Sequence, residues 1–180
     1  MCGIIGISSN KSVSANIINS LKKLEYRGYD SAGVATLFDG EINEVKSEGR
    51  VDNLEQNFDL KSLKGNIGIG HVRWATHGVP NSINAHPHSS DNVSVVHNGI
   101  IENSTILKKH LINKGHTFKS QTDTEVIVHL ITENLRIMEL EEAITKTLKQ
   151  LHGSFALGII FKDIPDLIVG ARRGSPLAVG

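Results

Sequence analysis

The sequence predicts an α+β fold in which mainly antiparallel sheets are covered by helices. Strand-like segments come in neighbouring pairs, and segments with a helical spacing of apolar residues are grouped between those pairs. A parallel βαβ fold would instead alternate single strands with helices. The chain has 180 residues, of which 39% are hydrophobic and 21% charged. That length and composition suit one globular domain with a proper core.

The first half of the chain contains three predicted strands and one predicted helix. Residues 2–8 are apolar and form a short strand that begins at the N-terminus. Residues 32–38 and 41–46 form two strands joined by Asp39-Gly40, a dipeptide typical of tight hairpin turns. The predicted helix lies between these strands, where apolar residues recur at helical spacing: Val13, Ile17, Ile18, Leu21 and Leu24.

The second half repeats this pattern with more helix. Residues 67–73 and 93–97 are predicted strands, separated by a polar loop. Residues 122–125 have the spacing of a capping box and open a predicted helix. A further helix begins near Leu140 and is predicted to end at Gly153. Residues 155–161 and 167–172 form a last hairpin.

Charge and hydropathy exclude several classes of partner. Nineteen basic and nineteen acidic residues cancel, which argues against a nucleic-acid or membrane surface driven by charge. The longest apolar stretches have only the length of a strand, and no secretory signal opens the chain. We therefore predict a cytoplasmic protein.

Cys2 is the only cysteine and directly follows the initiator Met1. Removing Met1 would place a thiol and a free α-amine on one residue. Such an amine has a pKa near ~7.7–8, so part of it is unprotonated at neutral pH and can act as a base. An adjacent base is a recognised way of activating a thiol as a nucleophile. The alternative is that Cys2 is a small apolar side chain at the start of a buried strand.

Three clusters rich in glycine and polar residues accompany Cys2, each near the end of a predicted strand or helix, where loops place functional groups. Residues 26–33 read Tyr-Arg-Gly-Tyr-Asp-Ser-Ala-Gly, residues 73–78 read Arg-Trp-Ala-Thr-His-Gly, and residues 97–103 read His-Asn-Gly-Ile-Ile-Glu-Asn. Together with the opening Met-Cys-Gly-Ile-Ile-Gly, they closely resemble the glutaminase domain of the class II, N-terminal-nucleophile glutamine amidotransferases. Within that class, the wording is similar to the glutamine–fructose-6-phosphate aminotransferase (glucosamine-6-phosphate synthase) family.

The resemblance covers essentially the whole chain and implies both a fold and a chemistry. It implies the N-terminal-nucleophile hydrolase fold, an αββα sandwich. It also implies that Cys2 is the nucleophile and that its freed amine is the base. Asn98, through its side-chain amide, and Gly99, through its backbone N–H, match the family's oxyanion hole. A simple turn is the alternative interpretation of Asn98-Gly99.

The expected substrate is free L-glutamine, a zwitterion. A guanidinium engages a carboxylate in a planar fork, so Arg73 suits the carboxylate of glutamine. Asp123 suits its ammonium group, with helix capping as an alternative or additional role. Thr76 and His77 match positions that line the same end of glutamine in the family.

Two further residues match the family with competing interpretations. Trp74, the only tryptophan, lies in a loop that in the family closes over glutamine and helps to gate ammonia. A core aromatic residue at a strand end is the alternative. Arg27 resembles an arginine near the nucleophile that orients the terminal residue, and a surface salt bridge is the alternative.

No cofactor and no metal ion are expected. His86 and His88 lie close together, but structural zinc sites usually include thiolates, and the only thiol is assigned to catalysis. The resemblance implies that residues 1–180 form the glutaminase domain, cut short at its C-terminal end. The sugar isomerase (SIS) domains that bind fructose 6-phosphate are absent, and the full-length enzyme is expected to be a homodimer.

Three other functions remain open. The chain could be the glutaminase domain of another class II amidotransferase, such as an asparagine synthetase or an amidophosphoribosyltransferase. It could be an amide hydrolase of the same fold acting on another acyl group, which would lack a zwitterion pocket. It could also be a non-catalytic regulatory or binding domain in which Met1 is retained.

Overall fold

The computed structural model describes residues 2–75 and 78–180. The first of its two sheets has the strand order β1-β4-β2-β3, and every neighbouring pair is antiparallel. Its strands are β1 (Gly3–Ser8), β2 (Ser31–Phe38), β3 (Glu41–Glu48) and β4 (Ile67–Arg73). The predicted Asp39-Gly40 turn joins β2 to β3, and both residues have the positive φ that such a turn requires.

The second sheet has the order β5-β6-β7-β8 and is also antiparallel throughout. It consists of β5 (His88–Ser89), β6 (Val93–Ile101), β7 (Gly153–Phe161) and β8 (Ile164–Arg173). The predicted last hairpin is therefore confirmed, although its turn is tighter than expected and β8 begins at Ile164.

Helices cover the outer face of each sheet. Helices α1 (Ser14–Leu24) and α2 (Val51–Asn57) pack on the first sheet through a cluster that includes Ile17 and Leu21. Helices α3 (Ser104–Asn113), α4 (Glu125–Leu135) and α5 (Leu140–Gln150) pack on the second sheet. Among the helices of the described residues, none is long and apolar enough to cross a membrane.

The two sheets face each other through a third apolar cluster. Ile69 of β4, Val96 of β6 and Ile160 of β7 are fully buried in it. Burying apolar area of this kind contributes roughly 25 cal/mol per Å². The order of layers is therefore helix, sheet, sheet, helix, which confirms the predicted αββα sandwich.

Two helices were not predicted, for a physical reason. In α2 the buried side chains are Val51 and Leu54, and in α3 they are Leu107 and Leu111. Each helix thus buries only two apolar side chains, which is too short a pattern to give a clear helical period in sequence.

Three predicted boundaries were wrong. The strand predicted over residues 93–97 extends to Ile101, so Asn98 and Gly99 lie within β6 and not in a loop or simple turn. Gly153 does not end the preceding helix, because α5 stops at Gln150 and Gly153 opens β7 opposite Ile101. Helix α4 begins only at Glu125, and its cap residue Thr124 makes no capping hydrogen bond.

Candidate active site

Cys2 lies directly beside the end of strand β4. Its Sγ accepts a hydrogen bond from the backbone N–H of Trp74 at 3.3 Å, and the thiol lies 3.5 Å from the Trp74 carbonyl oxygen as donor. Strand β1 is antiparallel to β4, with Gly3 opposite Val72, and this pairing brings the start of one strand to the end of the other. The sheet register therefore fixes the thiol next to the Arg73–Trp74 peptide.

The turn that precedes β2 holds the Arg73–Trp74 peptide through contacts with the residues on both sides of it. Asp30 accepts a 2.8 Å hydrogen bond from the Ala75 N–H through Oδ2, and its own N–H donates to the Arg73 carbonyl at 3.0 Å. Gly28 approaches so closely that a Cβ there would lie 2.6 Å from the Arg73 carbonyl carbon. A side chain at position 28 would push the turn away from the peptide that contacts Cys2.

The surroundings of Cys2 favour the neutral thiol. Burial raises the pKa of Cys2 above its ordinary value, and the negative charge of Asp30 adds to this. The hydrogen bond to Trp74 and the positive charge of Arg73 act in the opposite direction without outweighing burial. A buried thiol of raised pKa needs a base to become a nucleophile at neutral pH.

Arg73 and Asp123, predicted from the two charges of glutamine, line one small cavity together with Cys2. Arg73 is only 3% exposed, and burial lowers the pKa of its guanidinium while Asp123 opposes that shift. The cavity has a volume of about 20 Å³, room for about one water molecule and too little for an amino acid.

Asp123 is fixed by strand β6 and not by the helix that follows it. Its Oδ2 accepts a 2.7 Å hydrogen bond from the Ile101 N–H. Its Oδ1 lies 4.0 Å from Nδ1 of His97. The capping alternative is not what this geometry supports, because α4 begins two residues later.

Asn98 and Gly99 lie on the strand next to Cys2. The Asn98 amide nitrogen donates to the Cys2 carbonyl oxygen at 3.1 Å. Gly99 has a φ of +134°, and a Cβ on it would collide with the backbone of Ser154 on β7. No residue with a side chain could keep this backbone shape, so the shape of β6 beside the thiol depends on Gly99.

Arg27 lies near Cys2 on a different side from Arg73. It lines a second cavity of about 430 Å³ together with Cys2, Asn98 and the C-terminal segment around Leu177. Its Nε donates to the Tyr26 hydroxyl at 3.1 Å, and its guanidinium lies over the Tyr26 ring.

Three predicted site residues remain: Trp74, Thr76 and His77. Thr76 and His77 lie outside the described residues. Trp74 is 47% exposed and meets Tyr29 edge to face, with ring centroids 6.1 Å apart. The interpretation of Trp74 as a core aromatic residue is therefore wrong.

Four buried histidines form a cluster beside the cavity, and two of them, His86 and His97, line it: His71, His86, His88 and His97. Burial lowers the pKa of His71 and His88 to about 3 and that of His97 to about 4, and it also lowers the pKa of His86 well below its ordinary value. All four rings are therefore neutral at pH 7. Among the described residues, no group of three or more His, Cys, Asp or Glu side chains could hold a metal ion.

Sequence reasoning did not single out Asp30 or Thr124. Asp30 stands inside the quoted cluster at residues 26–33, and its place before β2 was a usable signal. The buried Thr124 hydroxyl had no such signal, because its partners are imidazoles 27 and 38 residues away along the chain.

A family model described as a glutamine amidotransferase domain matches residues 71–174. This segment contains Arg73, Asn98, Gly99 and Asp123. The chain belongs to the family of glutamine amidotransferase domains.

Three sequence relatives of this glutamine amidotransferase domain share one name. Proteins named glutamine–fructose-6-phosphate aminotransferase (isomerizing) are 56% identical in Mesorhizobium japonicum, 51% in Zymomonas mobilis and 52% in Pyrococcus horikoshii. Each match covers 100% of this chain, but only 30%, 30% and 31% of the relative. The chain thus spans less than a third of the length of these relatives.

Solved structures confirm the fold. The glutamine phosphoribosylpyrophosphate amidotransferase of B. subtilis, in complex with ADP and GMP, is 32% identical with a TM-score of 0.78, over 90% of this chain and 35% of that one. A class II glutamine aminotransferase domain protein from Silicibacter pomeroyi is 17% identical with a TM-score of 0.59, over 82% and 70% of the two chains, and supports the fold alone. The predicted N-terminal-nucleophile fold is confirmed.

Proposed function

We propose that this glutamine amidotransferase domain hydrolyses the side-chain amide of L-glutamine to glutamate and ammonia through a thioester on Cys2. One observation carries the proposal. The only thiol of the chain shares a cavity with a buried cation, Arg73, and with a carboxylate, Asp123. A nucleophile that shares a cavity with both a cation and an anion suits an amide whose far end is a zwitterion.

Binding would orient glutamine before the reaction. The Arg73 guanidinium would pair with the α-carboxylate, and Asp123 would accept hydrogen bonds from the α-ammonium. Charge-assisted contacts of this kind are about twice as strong as neutral hydrogen bonds. With both charges held, the side-chain amide would extend toward Cys2, and an acyl amide without these charges would bind poorly.

The nucleophile requires a proton acceptor, since burial keeps the Cys2 thiol neutral. We propose the α-amine of Cys2 itself, freed by removal of Met1. The amine takes the thiol proton, Sγ bonds to the amide carbon, and the carbonyl π electrons move onto oxygen. A tetrahedral intermediate with a negative oxygen results.

Asn98 and Gly99 are the proposed donors to that oxygen. An amide nitrogen carries two N–H groups, so Asn98 can hold the Cys2 carbonyl with one and meet the oxyanion with the other. The backbone N–H of Gly99 is the second donor. Removing one donor of this type typically costs ~100- to 1,000-fold in rate.

Collapse of the intermediate completes the reaction. The C–N bond breaks as the amine returns its proton to the leaving nitrogen, which departs as ammonia and leaves the thioester. Water, deprotonated by the same amine, then attacks the thioester, and the C–S bond breaks to give glutamate and the thiol. The balance is one water consumed and one ammonia released, with no cofactor.

The full-length context is a further part of the proposal. Because the relatives are named glutamine–fructose-6-phosphate aminotransferases and are about three times as long, we propose that a sugar isomerase (SIS) domain accompanies residues 1–180. Ammonia would pass to fructose 6-phosphate bound there and give glucosamine 6-phosphate. A homodimer in the cytoplasm is our proposed setting.

Four residues have proposed accessory roles. Trp74 would cover bound glutamine and help to gate ammonia, and Thr76 and His77 would line the glutamine end of the site. Arg27 would orient the N-terminal residue across the second cavity, where it lies near Cys2.

The test measures glutamate and ammonia released by the purified chain. Glutamine hydrolysis that disappears in Cys2→Ala supports the proposal. Turnover of another acyl amide, with none of glutamine, would favour an amide hydrolase of different specificity. Glutamine binding without turnover, in a protein that lacks Met1, would favour a regulatory domain.

A further inference from the structure

We propose that the Thr124 hydroxyl, held between two buried imidazoles, is a positioning group for the glutamine site. This inference rests on the proposed function, because it concerns how that site is held in shape. Thr124 follows Asp123, is fully buried, and makes no capping bond to α4. Its hydroxyl is thus not explained by helix formation.

The hydroxyl contacts two rings from different parts of the fold. Thr124 Oγ1 lies 2.7 Å from Nε2 of His86 and 2.9 Å from Nδ1 of His97. A hydroxyl has one proton and two lone pairs, so it can donate to one neutral imidazole and accept from the other. The ring that accepts the hydroxyl proton must be neutral, and burial favours the neutral form of both rings.

The contacts of Thr124 connect all three segments that carry the residues proposed to bind glutamine. His97 immediately precedes Asn98 on β6, and its carbonyl oxygen lies 3.0 Å from Nε2 of His71 on β4. His71 is two residues before Arg73. Thr124 therefore connects the start of α4 to β6 and, through His97, to β4.

A second hydrogen bond holds the other end of the strand segment that contains Asn98 and Gly99. Ile101 donates to Asp123, while His97, four residues earlier on β6, contacts Thr124. Asp123 and Thr124, the two residues before α4, thus contact opposite ends of the strand segment from His97 to Ile101. Loss of the Thr124 bond would leave Asp123 held at one point only, so its carboxylate could drift from the ammonium of glutamine.

Several titratable groups around Thr124 affect protonation of the two imidazoles that contact it. Asp123 favours protonation of His97. Around His86, Arg73 and the neighbouring His71, His88 and His97 disfavour protonation, in the same direction as burial. Both imidazoles therefore stay neutral over the pH range in which the Cys2 amine can serve as a base.

The experiment compares Thr124→Val with Thr124→Ser and with Thr147→Val. Valine removes the hydroxyl at nearly constant shape, and serine keeps it. Thr147 is the matched control, since it is a buried threonine of the same helix layer whose hydroxyl accepts from Asn134 at 3.0 Å. Thermal unfolding of each variant is measured alongside its kinetics.

We expect Thr124→Val to raise KM for glutamine about 3- to 10-fold, the loss of roughly one hydrogen bond, with a smaller change in kcat. Thr124→Ser should restore KM to within about 2-fold, and Thr147→Val should leave it unchanged despite a similar loss of stability. In an Asp123→Asn background, Thr124→Val should add less than about 2-fold, because the two changes act on one contact.

Equal effects of Thr124→Val and Thr147→Val on KM, or full additivity with Asp123→Asn, would overturn the proposal. If Thr124→Val does not fold, Thr124→Ala takes its place. Calorimetric titration of L-glutamine into Cys2→Ala proteins separates this inference from the proposed function. Binding that weakens with Thr124→Val, even where the unmodified protein releases no ammonia, would support Thr124 as a positioning group while overturning hydrolysis. An unmodified protein that neither binds nor hydrolyses glutamine would overturn both.

Discussion

Cys2 and Trp74 hydrogen-bond to each other in both directions, the thiol to the carbonyl oxygen and the backbone N–H to Sγ. Cys2, the proposed nucleophile, is thereby attached to the first residue after strand β4, next to the buried Arg73. Any change in that backbone on substrate binding alters the surroundings of the thiol. Cys2, the predicted nucleophile, therefore lies beside the peptide bond that joins Trp74 to Arg73, the residue predicted to bind the carboxylate of glutamine.

Cys2→Ala should abolish glutamine hydrolysis and leave the fold intact, because one small side chain replaces another at the chain end. The change removes two weak sulfur hydrogen bonds, so we expect a loss of stability of at most ~1 kcal/mol. Ammonia release and thermal unfolding measure the two effects. Intact mass of the active protein should show that Met1 is absent, and full activity with Met1 retained would exclude the α-amine as the base.

Arg73→Ala should mainly raise KM for glutamine, by roughly 10- to 150-fold for a lost charge-assisted contact of about 1.5–3 kcal/mol. Asp123→Asn should have a similar effect. It is sharper than alanine, because its amide oxygen can still accept from Ile101 while the charge is gone. Initial rates over a range of glutamine concentrations give KM. If the unmodified protein used an uncharged acyl amide as well as glutamine, the zwitterion pocket would be wrong.

Asp30→Asn should make Cys2 more reactive toward an alkylating reagent, whereas Asp30→Ala should reduce catalysis. Burial is the main cause of the raised pKa of Cys2, and the charge of Asp30 adds to it. Asparagine removes that charge but can keep the bond to Ala75, which alanine cannot. Cys2 is the only cysteine, so alkylation rate against pH reports on it alone. An unchanged pH profile in Asp30→Asn would show that this carboxylate does not influence the thiol.

Fructose 6-phosphate should change neither glutamine turnover nor thermal stability of the 180-residue chain. A response requires a second site whose contacts differ between states, and we place that site in the sugar isomerase domain. Glutamine itself should alter the fluorescence of Trp74, the only tryptophan, which is half exposed before substrate binds. Acceleration of hydrolysis by fructose 6-phosphate would place a sugar-phosphate site within these 180 residues.

The layers of the fold and the charged residues of the site could be predicted from the sequence, but the hydrogen bonds that position those residues could not. Strand pairs and the period of α1 were visible because apolar residues alternate or recur over many positions. Arg73 and Asp123 followed from the charges of glutamine and the family motifs. The contacts of Asp123 with Ile101 and of Thr124 with two imidazoles depend on register and burial, which only the folded chain supplies. Asn98 and Gly99 were placed just beyond the strand predicted over residues 93–97, with a simple turn as the alternative interpretation, yet here pairing with β7 continues through them.

The final prediction is a steep loss of stability in mild acid. His71, His86, His88 and His97 are neutral when folded, with lowered pKa values, and return to an ordinary pKa near 6.5 when unfolded. Between about pH 6.5 and pH 4 the unfolded chain therefore binds more protons than the folded one, so stability falls as pH falls. Each histidine contributes at most about 1.4 kcal/mol per pH unit.

Urea unfolding at several pH values measures that slope. His88→Gln should reduce it by up to one proton, since His88 is buried, contacts the Thr122 hydroxyl at 2.9 Å and does not itself line the cavity of Cys2. His110→Gln is the matched control, because His110 is exposed on α3 and its solvation changes little on unfolding. The pKa values of the carboxylates Glu125 and Glu133 are lowered from 4.5 to about 2, so these groups affect stability mainly near and below pH 4.5, and the slope between pH 6.5 and pH 5 reports on the histidines. A slope near zero between pH 6.5 and pH 5, or one that His88→Gln leaves unchanged, would mean that the buried rings do not resist protonation.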